Sequence, residues 1–195
     1  KVVGFIEEAR HIGIEVLPPD VNCCGHFFTV VGEKEIGYGM GAIKGVGEAA
    51  IESIVEARRK IGSFQSLDNF CQYVDPRKVN RRVLEALIKA GALDEFGQER
   101  SVLMASLESA IKAAEQTTRT QDLGQQDLFG GVSSSDTAPA YINVAPWTEG
   151  QRLLAEKESL GLYLSGHPLK LHEAELNQIV KTKIKDLDLS REKSL

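Results

Sequence analysis

Ile43-Lys44-Gly45-Val46-Gly47-Glu48-Ala49-Ala50-Ile51-Glu52-Ser53-Ile54 reads as a tight glycine turn that feeds directly into a helix. Gly45 and Gly47 permit positive φ and put no side chain in the way of an approaching group. The helix after Gly47 begins with unpaired backbone N–H donors backed by a partial positive charge, and such a terminus accepts an anion. Ile43 and Val46 before the helix, then Ile51, Ile54 and Val55 on it, have the spacing of an apolar face.

This pattern resembles the helix-hairpin-helix motif, which grips a nucleic-acid phosphate through backbone amides. Taken alone, it fits equally well a structural αα-hairpin whose glycines only make the turn. The charge around it tilts the reading towards DNA. The whole chain carries a net charge of −5, but residues 44–91 hold nine Lys/Arg against six Asp/Glu. Arg77-Lys78-Val79-Asn80-Arg81-Arg82 places four cations in six positions. Local distribution, not the total, decides whether a backbone polyanion can dock.

The 195 residues suffice for one large domain or two small ones. No apolar run approaches membrane-spanning length and no signal peptide opens the chain, so no membrane partner is expected. The opening without Met reads as an excised fragment or as the product of processing. The three cysteines form no disulfide framework, which fits a reducing cytoplasm. Cys23 and Cys24 are adjacent, so one zinc ion would not readily use both, and the four histidines lack metal spacing. No metal site is expected.

Helical spacing over 2–12 stops at Gly13, and a short strand at 14–17 ends at Pro18-Pro19. Residues 26–31 and 35–38 flank Gly32-Glu33-Lys34 as a β-hairpin. From 39 onward the pattern is helical, over 41–44, 48–60 and 66–73, then 81–90 with Asn80 as N-cap and Gly91 as stop, then 98–118. Leu87-Ile88-Lys89-Ala90-Gly91-Ala92 is a candidate second, degenerate hairpin. Residues 119–149 are a linker by composition. Helical spacing returns at 151–164 and 169–180. The expected fold is mainly α, with a short N-terminal β-hairpin, a tandem helix-hairpin-helix domain, a flexible linker and C-terminal helices.

Inside the polar linker sits Gln125-Gln126-Asp127-Leu128-Phe129. An exposed Leu-Phe pair in a flexible segment asks for a partner pocket, with a Gln at its rim. The plain alternative is that the pair folds back onto the helical domain.

Four blocks recur in one known family. They are Val16-Leu17-Pro18-Pro19-Asp20-Val21-Asn22, Tyr38-Gly39-Met40-Gly41-Ala42-Ile43-Lys44-Gly45-Val46-Gly47-Glu48, Asn80-Arg81-Arg82-Val83-Leu84-Glu85-Ala86-Leu87-Ile88-Lys89-Ala90-Gly91-Ala92, and Gly161-Leu162-Tyr163-Leu164-Ser165-Gly166-His167-Pro168-Leu169. In this order they closely resemble the C-family replicative DNA polymerases of bacteria, over essentially the whole chain. The resemblance implies that 1–39 end a fingers domain and that 40–118 are a tandem helix-hairpin-helix region. With 119–149 already read as a linker by composition, it makes 150–195 a helical lead-in to an oligonucleotide-binding barrel that the family carries next. The island is similar to the family's internal sliding-clamp-binding motif, with Gln125, Asp127, Leu128 and Phe129 as clamp contacts; Gln126 stands where strong motifs often carry Leu.

The resemblance also implies what this segment lacks. Polymerase chemistry uses palm-domain carboxylates holding two magnesium ions. Asp20, Asp68, Asp75 and Asp94 are isolated in the sequence, so no catalytic residue and no cofactor are expected here, magnesium belonging to the parent enzyme. The expected DNA contacts are Lys44, Gly45, Val46, Gly47, Arg77, Lys78, Arg81, Arg82 and Gly91, gripping duplex phosphates without reading sequence. The clamp and other replicase subunits are the implied protein partners. A stand-alone helix-hairpin-helix repair or scaffold protein and an error-prone C-family paralogue are the alternatives.

Overall fold

The computed structural model describes residues 2–122, 141–169 and 179. The chain divides into two compact units, one ending at Ser165 and the other beginning at Gly166.

The first unit opens with α1 (Val2–His11), which buries Ile6 and ends at Gly13 with φ 80°. Three short strands follow, β1 (Glu15–Leu17), β2 (Thr29–Gly32) and β3 (Glu35–Gly37). β2 and β3 make the antiparallel hairpin expected from Gly32-Glu33-Lys34, with a register shift between Val30 and Gly32. β1 lies parallel to β3 on its other side, Val16 opposite Ile36. The hairpin was expected from His26, but pairing starts only at Thr29. The backbone before it is engaged elsewhere: Met40 N–H donates to Gly25 O at 2.8 Å and Gly41 N–H to His26 O at 3.0 Å. The chains approach so closely that a Cβ at Gly39 would lie 2.6 Å from His26 O.

A single 3-10 turn (Met40–Ala42) precedes α2 (Glu48–Ile61). Then come α3 (Leu67–Tyr73), α4 (Arg81–Ala90), a 3-10 turn (Asp94–Phe96), α5 (Arg100–Asp122) and α6 (Glu149–Leu160). The caps explain the boundaries. Ser66 accepts from Asn69 N–H, and Asn80 Oδ1 accepts from Arg82 and Val83 N–H. Gly91 closes α4 in the left-handed conformation. α5 starts two residues later than the periodicity suggested and runs four further, to Asp122. α6 starts on a Thr148/Gln151 capping box and stops at Leu160, where left-handed Gly161 ends it four residues early.

Leu67, Phe70, Leu84, Leu87, Ile88, Leu103 and Leu107 form the buried centre of this unit. The N-terminal segment shares that core. Val21 N–H donates to Ala92 O, Arg58 Nη1 donates to Val21 O and Cys24 O, and Arg10 Nη2 donates to Leu164 O. The division expected after residue 39 therefore runs through one continuous core. The end of the expected linker also lies on this body: Tyr141 Oη accepts from Leu67 N–H and Ile142 N–H donates to Ser106 Oγ.

Of the second unit, residues 166–169 and 179 are described; Leu169 N–H donates to His167 Nδ1 at 3.2 Å. The rest of the expected helix over 169–180, and the whole 125–129 island, lie outside the described residues. Among the described residues no helix is long and apolar enough to cross a membrane.

Candidate nucleic-acid interface

The turn between the 3-10 segment and α2 is stapled at both flanks. Ile43 and Val46 bury their side chains, and Val46 N–H donates to Ile43 O at 3.1 Å. Lys44 N–H donates to Ser159 O at 2.8 Å, so the last turn of α6 braces the hairpin. Gly45 alone takes positive φ, at 87°. Gly47 is extended, at φ −81° and ψ 162°, and serves as the N-cap of α2 without any side-chain cap.

The N–H groups of Gly45, Gly47, Glu48 and Ala49 have no acceptor among the described residues. Lys44, Gly45, Gly47, Glu48 and Ala49 are exposed, and a Cβ placed on Gly45 or Gly47 would meet nothing within 4 Å. These glycines differ in kind from Gly39 and Gly41, which touching backbone forces to be small. At Gly47 neither conformation nor packing demands glycine. What remains is clearance in front of open amides. Val46, expected among the contacts, has its amide bonded to Ile43 O and its side chain buried inside the turn.

The basic loop is docked on the same helix. Asp75 N–H donates to Ser53 Oγ at 3.0 Å, and Ser53 lies about 8 Å along α2 from Glu48 at 1.5 Å per residue. Arg77, Lys78, Arg81 and Arg82 are all exposed. Among the described residues the side chains of Lys44, Arg77, Lys78 and Arg82 make no ion pair. Arg81 differs: its Nε donates to Glu85 at 2.9 Å, Glu108 stands 4.0 Å away, and both partners hold the guanidinium above its ordinary pKa.

The comparisons with known proteins bear on this turn. A helix-hairpin-helix motif model matches residues 13–103. The DNA polymerase III subunit alpha of Pseudomonas aeruginosa is 44% identical over 98% of this chain, which spans 18% of that relative. The corresponding subunits of Haemophilus influenzae and Escherichia coli K12 are each 44% identical, over 98% and 96% of this chain and 17% and 16% of their own lengths. The chain matches a fragment of DNA polymerase III subunit alpha. It spans less than one fifth of the length of these relatives.

In this chain the second, degenerate hairpin is built differently from the first. Gly91 is buried, its N–H donates back to Ile88 O and Leu87 O, and Asp94 N–H donates to Gly91 O. A Cβ there would run into the Arg100 guanidinium and the Asp94 carboxylate. The phosphate contact expected at Gly91 has no open amide to make it; the glycine is the seat of an ionic cluster in which Arg100 and Glu156 are buried and Asp94 is exposed. Arg100 donates to both Asp94 oxygens, at 2.9 and 2.7 Å, and to Glu156 Oε1 at 3.2 Å. Burial works against the Arg100 charge, but the two carboxylates outweigh it and raise its pKa. Glu156, 1% exposed, also accepts the N–H groups of Leu164 and Ser165 through Oε2. The sequence carried no signal for this cluster beyond three charged residues of ordinary appearance.

Asp20, Asp68, Asp75 and Asp94 each have local structural surroundings. Asp94 holds Arg100, Asp75 accepts from Arg77 N–H, Asp20 accepts from Asn22 N–H, and burial pushes the Asp68 carboxyl above its usual range. Among the described residues no group of three or more His, Cys, Asp or Glu is arranged to hold a metal ion.

Proposed function

We propose that the chain is a non-catalytic segment of a replicative DNA polymerase that holds duplex DNA by its phosphates and ties the enzyme to a sliding clamp. The observation that carries the DNA half is the uncapped start of α2, with four open amides behind a glycine that the fold does not require. Exposed Lys44, Arg77, Lys78 and Arg82 add affinity by counterion release, a term blind to sequence. The likeness to the α subunits, and the helix-hairpin-helix match, support the same reading. The clamp half rests on the Gln125, Asp127, Leu128, Phe129 pattern. The other replicase subunits would meet the parent polymerase, and the whole would work in the cytoplasm. Magnesium would serve the parent's palm, outside this chain.

Duplex DNA binding tests the first half. Gly47→Val should leave the helical signal unchanged, because φ −81° suits any residue and the space ahead is open. It should weaken DNA binding about tenfold or more, the equivalent of one charge-assisted hydrogen bond at about 1.5–3 kcal/mol. Unchanged affinity in the folded variant would make the turn purely structural.

Salt provides a second check. Replacing Lys78 and Arg82 by Ala should flatten the slope of log affinity against log salt by about 0.9 for each phosphate contact removed, equally on unrelated sequences. A slope that does not move would place the DNA on another face. With primed template, magnesium and dNTPs, the chain alone should incorporate no nucleotide; turnover by a homogeneous sample would overturn the non-catalytic assignment.

A further inference from the structure

Cys23 and Cys24 lie in the turn that follows Asp20, and their sulfurs sit 3.6 Å apart. In an extended chain neighbouring side chains point to opposite faces. Here the turn brings both to one side, and the fold holds it there. Cys24 N–H donates to Asp20 O at 2.8 Å, Asn22 N–H to Asp20 Oδ1 at 2.8 Å, and Arg58 Nη1 grips Val21 O and Cys24 O. Cys24 is buried against Gly37, where a Cβ would come within 2.6 Å of its sulfur. Cys23 is exposed and lines a cavity of about 160 Å³ together with Leu17, Pro18, Val31 and Gly37.

The sulfur spacing selects a ligand class. It is far from the ~2.05 Å of a disulfide bond, and no disulfide joins the two residues. It is close to the roughly 3.8 Å edge that two sulfurs span across a centre with bonds of about 2.3 Å. A zinc ion would need further protein donors, and among the described residues none complete such a set. A centre that needs two protein sulfurs and brings its own third substituent fits better.

We propose that Cys23 and Cys24 form a chelating dithiol site for trivalent organic arsenicals. The reaction is a condensation. Each sulfur forms one bond to arsenic, the arsenic–oxygen bond breaks, and the oxygen leaves as water with the two thiol protons; no atom changes oxidation state. The organic substituent enters the cavity beside Leu17, Pro18 and Val31. Partial desolvation of the sulfur within the turn and the neighbouring Asp20 carboxylate push the Cys23 thiol well above its usual pKa, so reagents that attack a single thiolate should react slowly there. Chelation distinguishes this site from an ordinary exposed cysteine. It is independent of the DNA and clamp assignments.

The test is titration of the reduced chain with phenylarsine oxide, read by intact-mass spectrometry under native conditions. One adduct per chain is expected, formed with loss of one water and reversed by 1,2-ethanedithiol. Cys71→Ser should retain it. Cys23→Ser, a change at an exposed position, should weaken it at least about 100-fold, because the second sulfur acts at high effective concentration. Cys24→Ser should do the same, and its circular dichroism reports whether its buried position tolerates the change. No adduct on the wild-type chain, an adduct that survives Cys23→Ser, or one lost in Cys71→Ser would each overturn the assignment.

Discussion

Replacing Leu128 and Phe129 together by Ala is expected to abolish detectable binding of the chain to a sliding clamp. An apolar side chain moved from water into a pocket contributes about 1.5–3 kcal/mol, and two such groups dominate a peptide this short. Ordering the rest of the segment opposes binding, so the wild-type affinity should itself be modest. Removing several kcal/mol from a modest affinity leaves nothing measurable. The turn before α2 and the basic loop share no residue with positions 125–129, so DNA binding and helicity should be unchanged. A titration of purified clamp against both proteins decides the matter, and equal binding would show that the tether lies elsewhere in the polymerase.

The second large effect is on stability. Glu156→Ala should destabilise the first unit by about 3–5 kcal/mol, the range for breaking a buried ion pair from one side. The substitution leaves Arg100 without one carboxylate and orphans the N–H groups of Leu164 and Ser165. For a unit of this size the midpoint of thermal unfolding should fall by on the order of 10 °C. Glu158→Ala, two residues along the same helix, is the control. It breaks an exposed pair with Lys89 at 3.0 Å and should cost under about 1 kcal/mol. Similar losses from the two would mean that the buried cluster contributes no more than a surface pair.

The comparison of Glu156 with Glu158 shows where sequence reading reaches its limit. Both are acidic residues in one amphipathic helix, and nothing local marks one as buried. Their difference comes from Arg100, 56 positions away. Local chemistry was legible where the cause is local. Ser66, Asn80 and Gly91 announced their caps, and the glycine turn before α2 announced itself. The parallel pairing of β1 with β3 was not legible, since two three-residue strands carry no record of their partner. Gly91 misled because a left-handed helix cap and a phosphate-gripping turn use the same residue type. The packed stretch after residue 140 resembled linker because its anchors, a tyrosine hydroxyl and one amide, leave no apolar period.

The length of α5 has a mechanical consequence. A helix that continues to Asp122 ends three residues before Gln125 and seven before Phe129. At about 3.3–3.6 Å per extended residue, Phe129 cannot stand more than about 25 Å from that helix end. A clamp bound at the proposed peptide would be reached from the end of a helix about 35 Å long at 1.5 Å per residue, whose first part is packed into the core through Leu103, Leu107 and Ala110. Under the proposed clamp contact, a flexible insertion after Asp122 would lengthen the reach between the duplex contact and the clamp while leaving both contacts intact.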